Sequence, residues 1–233
     1  MIKKDTVIII PAYNEEASIA LVLKDIPRDR IIEIILVDNA STDNTASIAQ
    51  KNGAMVISCS QRGYGIACLS GIKKAYALNP ANIVFLDADY SDHPQELPLL
   101  LDKIDCGYDL VIGSRTLGKS QKGALLPQAI FGNWLATNLM SLLLQGLKFS
   151  DLGPFRAIKT QALKQLKMQD QDFGWTIEMQ AKALLQKLRC CEVSVSYRKR
   201  IGVSKITGTL KGTIAAGYKI LKTLFTLWPQ RYT

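Results

Sequence analysis

Residues 83–89 read Ile83-Val84-Phe85-Leu86-Asp87-Ala88-Asp89. A short apolar run ends abruptly on two carboxylates. Strands of a parallel sheet are covered on both faces and read as solid apolar runs, so a strand is predicted over Ile83–Leu86. The same punctuation recurs along the chain. Thr6–Ile10 stops at Pro11, Ile31–Val37 stops at Asp38, and Ala54–Ser58 and Leu110–Gly113 are further runs of this kind. Helix signals fill the gaps: Glu15–Asp25, a helix reaching Lys51 behind the turn and cap residues 38–43, one opened by Gly63-Tyr64-Gly65 and running through Ala77, and Pro94–Lys103. Strand–helix alternation with short loops predicts an α/β domain with a mostly parallel sheet and helices on both faces.

The second half is less regular. A helix is expected over Gln128–Leu147, a strand within Leu152–Ile158, a helix over Trp175–Lys187 and a strand over Cys191–Ser196. Between Lys122 and Lys148 lie 25 uncharged residues, enough to span a bilayer. Pro127, Gln128, Asn133, Asn138 and Ser141 inside that stretch favour a buried or interfacial helix over a span. In Thr209–Trp228, Leu210, Ile214, Tyr218, Leu221, Phe225 and Trp228 share one helical sector, with Lys211, Lys219 and Lys222 beside it. Such a basic amphipathic helix suits either a membrane surface or a seat on the domain. The expected organisation is one domain over 1–206 and the basic helix over 207–233.

The 233 residues carry a formal charge of +9, 48% apolar and 21% charged side chains. That composition excludes global disorder. The charge is unevenly placed: residues 1–116 carry net −4, residues 117–233 carry net +13, and no acid follows Glu192. A basic half could meet nucleic acid, a membrane or phosphate groups. The five cysteines form no CxxC pair and there is one histidine, which argues against a structural zinc site or a disulfide framework. Reduced thiols point to the cytosol. The N-terminal apolar run is too short for a signal peptide.

Ligands of open α/β sheets sit beyond the carboxyl ends of the strands, and four polar clusters fall there: residues 11–15, 38–42, 61–65 and 87–89. Asp87 and Asp89, two residues apart at a strand end, can approach one hard cation such as Mg²⁺ or Mn²⁺, which takes oxygen ligands and shares them with substrate phosphates. An isolated pair of this spacing is more often a turn. Asp38 can meet a ribose or base edge, or simply close a turn. Gly63 and Gly65 permit close approach of backbone to a ligand.

PAYNEE at 11–16, VDNASTDNT at 37–45, GYGIA at 63–67 and DAD at 87–89, in this order and spacing, resemble glycosyltransferase family 2. Within it the chain is most similar to the dolichyl-phosphate mannose synthases and bacterial polyprenyl-phosphate glycosyltransferases. GSR at 113–115, DLGPFRAI at 151–158, WTIEMQ at 175–180 and YRKRIGVSKI at 197–206 carry the resemblance to about residue 220. It implies a GT-A fold and an inverting transfer of a hexose from a nucleotide sugar, UDP-glucose or GDP-mannose. By motif position Pro11, Tyr13, Glu15, Asp38 and Asp87 would hold the nucleotide, and Asp87 and Asp89 the diphosphate through Mg²⁺ or Mn²⁺. Arg115, Arg156, Arg198, Arg200, Ser204 and Lys205 would meet phosphates of donor and acceptor. An arginine fork matches phosphate oxygens, and a diphosphate leaving group needs its charge neutralised. Asp89, Arg115 and Glu178 are the catalytic candidates.

The acceptor sets the mechanism. A lipid phosphate is already an anion and needs no general base. A hydroxyl acceptor needs a carboxylate to take its proton, for which Glu178 is the first candidate and Asp151 the second. The chain departs from the branch's pattern at Ser91, where the mannose synthases carry Gln, and at Gly153-Pro154, where Ser-Gly is usual. The branch's C-terminal pair of transmembrane helices has no counterpart, so a lipid acceptor would be met by peripheral docking through 128–147 and 209–228, at the cytoplasmic membrane face. Competing readings are the same donor with a soluble hydroxyl acceptor, a non-catalytic nucleotide-sugar-binding relative, and a basic nucleic-acid-binding module. The last lacks any stacking platform or recognition motif.

Overall fold

The computed structural model describes residues 4–144, 147–202 and 210–229. Seven strands form one sheet: β1 (Thr6–Ala12), β2 (Ile31–Asp38), β3 (Met55–Ser58), β4 (Asn82–Phe85), β5 (Leu110–Ser114), β6 (Arg156–Lys159) and β7 (Cys190–Ser194). Their spatial order is β3-β2-β1-β4-β6-β5-β7. All neighbours are parallel except β6, which runs antiparallel between β4 and β5. The sheet is mostly parallel, as the sequence indicates, and β6 overlaps the expected Leu152–Ile158 strand but starts at Arg156 and runs on to Lys159. Asp151, Leu152 and Gly153 give their carbonyls to the side chains of Gln180 and Arg156 instead of to a neighbouring strand.

Alternate residues of the central strands feed two cores. Val7, Ile9, Ile35 and Val37 face α3 (Tyr64–Ala77), α5 (Pro127–Leu144), α6 (Thr160–Leu166), α7 (Trp175–Leu185) and α8 (Leu210–Leu227). Ile8, Ile10, Ile34 and Leu36 face α1 (Ile19–Asp25), α2 (Thr45–Lys51) and α4 (Leu97–Asp105), the last entered through a 3₁₀ turn at Pro94–Glu96. This period of two is what a sheet covered on both faces requires.

Two boundaries differ from the sequence reading for a physical reason, and one helix is added. β1 continues through Pro11 to Ala12, because β4 leaves the pairing after Ile9↔Phe85 and proline's missing N–H is tolerated at an open side. α1 begins at Ile19 rather than Glu15, since residues 14–16 give their N–H groups to Ser41 Oγ (3.0 Å), Thr45 Oγ1 (2.8 Å) and Asp43 Oδ2 (3.2 Å). These loop side chains replace a first helical turn. α6 arises in a stretch the sequence left unassigned.

α8 forms where the helical wheel placed it but is rotated from the expected seat. Leu224 and Leu227 are buried in the core shared with α7, with Ile220 beside them. Tyr218, Phe225 and Trp228, members of the predicted apolar stripe, face outward. α5 is likewise apolar and exposed along one side, at Ile130, Phe131, Trp134 and Leu142. Among the described residues no helix is long and apolar enough to cross a membrane.

Candidate active site

The carboxyl ends of β1, β2 and β4 and the start of α3 enclose a cavity of about 360 Å³. Pro11 near the end of β1 and Tyr13 and Glu15 just beyond it form one wall, Asn39 follows β2, and Asp87 and Asp89 follow β4. Arg200 closes the far side. A second cavity of about 310 Å³ runs between α5 and α8, with Ala129, Gly132, Leu135, Ile220 and Leu221 among its walls and Arg115 at its inner end. Tyr64, Asp87 and Phe173 line both, so the two spaces meet.

Asp87 stands at that junction and accepts a hydrogen bond from Tyr64 Oη at 3.1 Å. Burial, and then the neighbouring Asp89, push its carboxyl up to about 7. Burial also pushes the Tyr64 phenol well above its ordinary range, keeping it a neutral donor. Both Asp89 oxygens are engaged: Oδ1 accepts from Ser91 N–H (2.9 Å) and Ser91 Oγ (2.5 Å), and Oδ2 lies 2.8 Å from Arg200 Nη2. The departure at Ser91 therefore serves to orient Asp89. Asp92, beside it, is buried with both carboxylate oxygens unpartnered, and burial holds it well above the usual carboxylate range.

Arg115 is gripped by Asp151: Nε at 2.8 Å from Oδ2 and Nη2 at 2.7 Å from Oδ1, with Arg115 N–H also donating to Oδ2. Burial works against the guanidinium charge, but Asp151 outweighs it and holds the pKa above the ordinary arginine value. Glu192 accepts the N–H groups of Ser150 and Asp151, and Asn133 of α5 clips Ser150 O and Leu152 N–H. These contacts fix the Asp151–Arg115 pair at the inner end of the slot. Asp151 is consumed by this pairing and is not a free base.

Four predicted site residues lie elsewhere. Glu178 is buried on α7 and lines neither cavity. Its carboxylate accepts the N–H groups of Gln169 and Asp170 and pairs with Lys182 at 2.6 Å, so it shapes the 169–172 segment rather than taking a proton from substrate. Arg156 is fully buried beneath the site and donates to the carbonyls of Leu152, Gly153 and Thr176. Burial lowers its pKa to about 10. It holds the 152–153 backbone in place and lines neither cavity. Arg198 donates to the carbonyls of Tyr90 (2.6 Å) and Asp92 (2.9 Å) and stacks on the Tyr90 ring. Asp38 accepts Ser41 N–H at 3.1 Å and closes a turn, while its neighbour Asn39 faces the cavity. Ser204 and Lys205 lie outside the described residues.

Asn39, Arg62 and Tyr64 lie in the strand-end clusters 38–42 and 61–65 but had no individual role in the sequence reading, and Asp172 and Phe173 were not anticipated at all. Asn39 accepts Gly63 N–H (2.9 Å) and donates to Cys59 O and Gln61 O, which pins the loop before α3. Arg62 lies 3.2 Å over the Tyr13 ring. The glycines of that loop make room for the chain itself: a Cβ on Gly63 or Gly65 would collide with the backbone of 170–172, and Gly63 has φ +148°. The strand-end positions of Asn39, Arg62 and Tyr64 carried a usable signal; Asp172 and Phe173 reach the cavity through tertiary packing.

Residues 7–167 match the family model described as glycosyl transferase family 2. The chain belongs to glycosyltransferase family 2. A dolichyl-phosphate hexose transferase of Haloferax volcanii is 32% identical over 222 residues, 94% of this chain and 93% of that one. A polyprenol monophosphomannose synthase of Mycolicibacterium smegmatis is 28% identical over 228 residues, 88% of this chain and 82% of that one. These are names from the branch the motifs resemble. Among solved structures, glucosyl-3-phosphoglycerate synthase from Mycobacterium tuberculosis, in complex with Mn²⁺, UDP and glucosyl-3-phosphoglycerate, superposes with a TM-score of 0.76 at 22% identity. That likeness covers 97% of this chain and 80% of the other, and it establishes the GT-A fold for this family 2 transferase.

Proposed function

We propose that this glycosyltransferase moves a hexose, with inversion, from a UDP- or GDP-sugar to a polyprenyl phosphate at a membrane face. The observation that carries the reading is the apolar slot between α5 and α8, which ends on Arg115 and opens into the strand-end cavity at Asp87. A nucleotide diphosphate suits the polar cavity, and a prenyl chain with an anionic head suits the slot.

The donor set fits a divalent cation. Asp87 and Asp89 offer hard carboxylate oxygens at the cavity wall, and no group of three metal-ligating side chains exists among the described residues, so substrate phosphates would complete the shell. Such a cation, Mg²⁺ or Mn²⁺, supplies charge neutralisation to the departing diphosphate. The chain's own residues do the rest. Arg115 holds the acceptor phosphate, whose oxygen attacks the anomeric carbon as the bond to the diphosphate breaks. Arg200 stabilises charge on the leaving group. No proton needs to be removed from a phosphate acceptor, so catalysis is positioning plus electrostatics.

The outward faces of α5 and α8 support membrane docking. Phe131, Trp134, Leu142, Tyr218 and Phe225 are each more than half exposed. Residues 116–150 and 193–233 contain no carboxylate. An apolar, aromatic, acid-free face suits an anionic lipid surface.

One observation favours a hydroxyl acceptor as the second reading. Asp172 lines the strand-end cavity, and burial raises its carboxyl pKa. It, not Glu178, would be the base. Release of UDP or GDP from UDP-glucose or GDP-mannose, with Mn²⁺ and a short polyprenyl phosphate, tests the first reading. Release supported only by a soluble phosphorylated alcohol, and abolished by Asp172→Asn, would replace it with the second.

A further inference from the structure

Arg200 is held in a way no other arginine of the site is. Arg115 has Asp151, and Arg198 has backbone carbonyls. The carboxylate that anchors Arg200 is Asp89 itself, with Nη2 2.8 Å from Oδ2, while Glu15 Oε1 lies 3.7 Å away. The backbone fixes this placement. Arg198 N–H donates to Ser91 O (2.9 Å), Ile201 N–H donates to Asp89 O (3.0 Å), and Tyr197 bridges Asp92, so residues 197–201 lie antiparallel along 89–92. Arg200 Nε is buried with no hydrogen-bond partner among the described residues, so the guanidinium fork is only half used.

Asp89 has little to spare. Oδ1 already takes two donors from Ser91, and Oδ2 takes Arg200. A hard divalent cation binds a carboxylate oxygen at about 2.0–2.1 Å for Mg²⁺. On Oδ2 that would set it beside the guanidinium, two positive charges on one oxygen. Arg200 also lines the cavity in which a donor diphosphate would lie, and its fork matches phosphate oxygens.

We infer that Arg200 is the resident counter-ion of Asp89 and exchanges with the divalent cation, passing from the carboxylate to the donor diphosphate as cation and nucleotide bind together. The inference rests on the donor-site reading above. It makes Arg200 a positioning residue that opposes cation binding alone and favours it with nucleotide. Cation and nucleotide then bind with positive coupling, equal in both directions.

Mn²⁺ binding is measured by the electron paramagnetic resonance of free Mn²⁺, with and without UDP or GDP, on the wild-type chain and Arg200→Gln. The variant is expected to bind Mn²⁺ alone about tenfold more tightly and to lose most of the nucleotide-induced gain, within the 5–150-fold span of typical couplings. Arg200→Lys, which keeps the charge, is expected to stay near wild type. Equal or weaker Mn²⁺ binding by Arg200→Gln overturns the exchange while leaving the metal-dependent reading intact. No Mn²⁺ binding to either protein, even with nucleotide, overturns both. If Arg200→Gln does not fold, the wild-type Arg200 Nε–Hε resonance, assigned through Arg200→Lys, decides. It should shift when Mg²⁺ and nucleotide are added together. A resonance that stays put while Mg²⁺ binds overturns the inference.

Discussion

The strand-end cavity and the helix slot share Tyr64, Asp87 and Phe173, yet they are built by different means. One wall of the cavity is made by residues at or just beyond the ends of parallel strands, and the ladder fixes where each strand stops. The pairing of β1 with β2 and β4 therefore sets Pro11, Asn39 and Asp87 side by side. The slot is walled by two helices whose rotation is decided by packing. α8 turns Leu224 and Leu227 inward and leaves Tyr218 and Phe225 outside, although all four are apolar. The cavity carries the carboxylates Asp87 and Asp89 on its wall, and the slot is mostly apolar with Arg115 at one end. On the function proposed above, the two spaces would receive the donor and the acceptor from opposite sides of a shared wall.

The largest expected effect lies on the cavity side. Asp89→Asn should cut turnover by about 10³-fold with the fold retained, measured as nucleoside diphosphate release beside circular dichroism, because one electrostatic contact to the transition state is worth that much. Turnover near wild type would remove the carboxylate wall from the chemistry. On the slot side, Arg115→Lys keeps a charge against Asp151 but loses the fork. It should lower kcat/KM for a polyprenyl phosphate by about 10²-fold, the cost of a small misplacement, while slow donor hydrolysis without acceptor stays unchanged. Equal loss in both assays would place Arg115 on the donor instead.

The outer face of the slot is tested by Trp134→Glu with Phe225→Glu. Partition onto anionic vesicles should fall by about tenfold or more, since a large apolar side chain contributes about 1.5–3 kcal/mol on full burial. Unchanged sedimentation with vesicles would assign this face to something other than lipid. Glu178→Gln should leave turnover at the wild-type level and lower the unfolding free energy by about 2 kcal/mol, the scale of a hydrogen bond to a charged group. Urea titration and a rate assay read the two effects separately.

The smallest effect concerns Asp92. Burial holds the folded carboxyl well above the usual carboxylate range. The folded chain keeps a proton there that the unfolded chain releases, so this residue's contribution to stability falls as pH rises above about 4. Asp92→Asn should flatten that fall, and the melting temperatures of variant and wild type should converge at acid pH. A constant difference between pH 4 and 8 would mean Asp92 is not held neutral.

Most of the strand-end wall, Asp38 excepted, was legible because apolar runs and their polar stops lie next to each other in sequence. Asp87, Asp89, Tyr13 and Glu15 were found this way, and all four line the cavity. Arginines were legible as a class but not singly. Arg115, Arg156, Arg198 and Arg200 carry the same charge in similar motifs, yet Arg156 is spent on carbonyls beneath the site and Arg200 reaches Asp89. Glu178 looked like a base for the same reason: sequence shows the carboxylate, not the two N–H groups and the lysine that occupy it.

By itself the sequence determined the α/β class, the mostly parallel sheet, the family and the carboxylate pair at the end of β4. Each follows from patterns a few residues long, set by backbone period and turn chemistry. Tertiary structure alone decided which way α8 faces, which partner each arginine takes, and that Asp172 and Phe173 close the cavity from a distant part of the chain. Those outcomes depend on contacts between groups far apart in sequence, and such contacts leave no local mark.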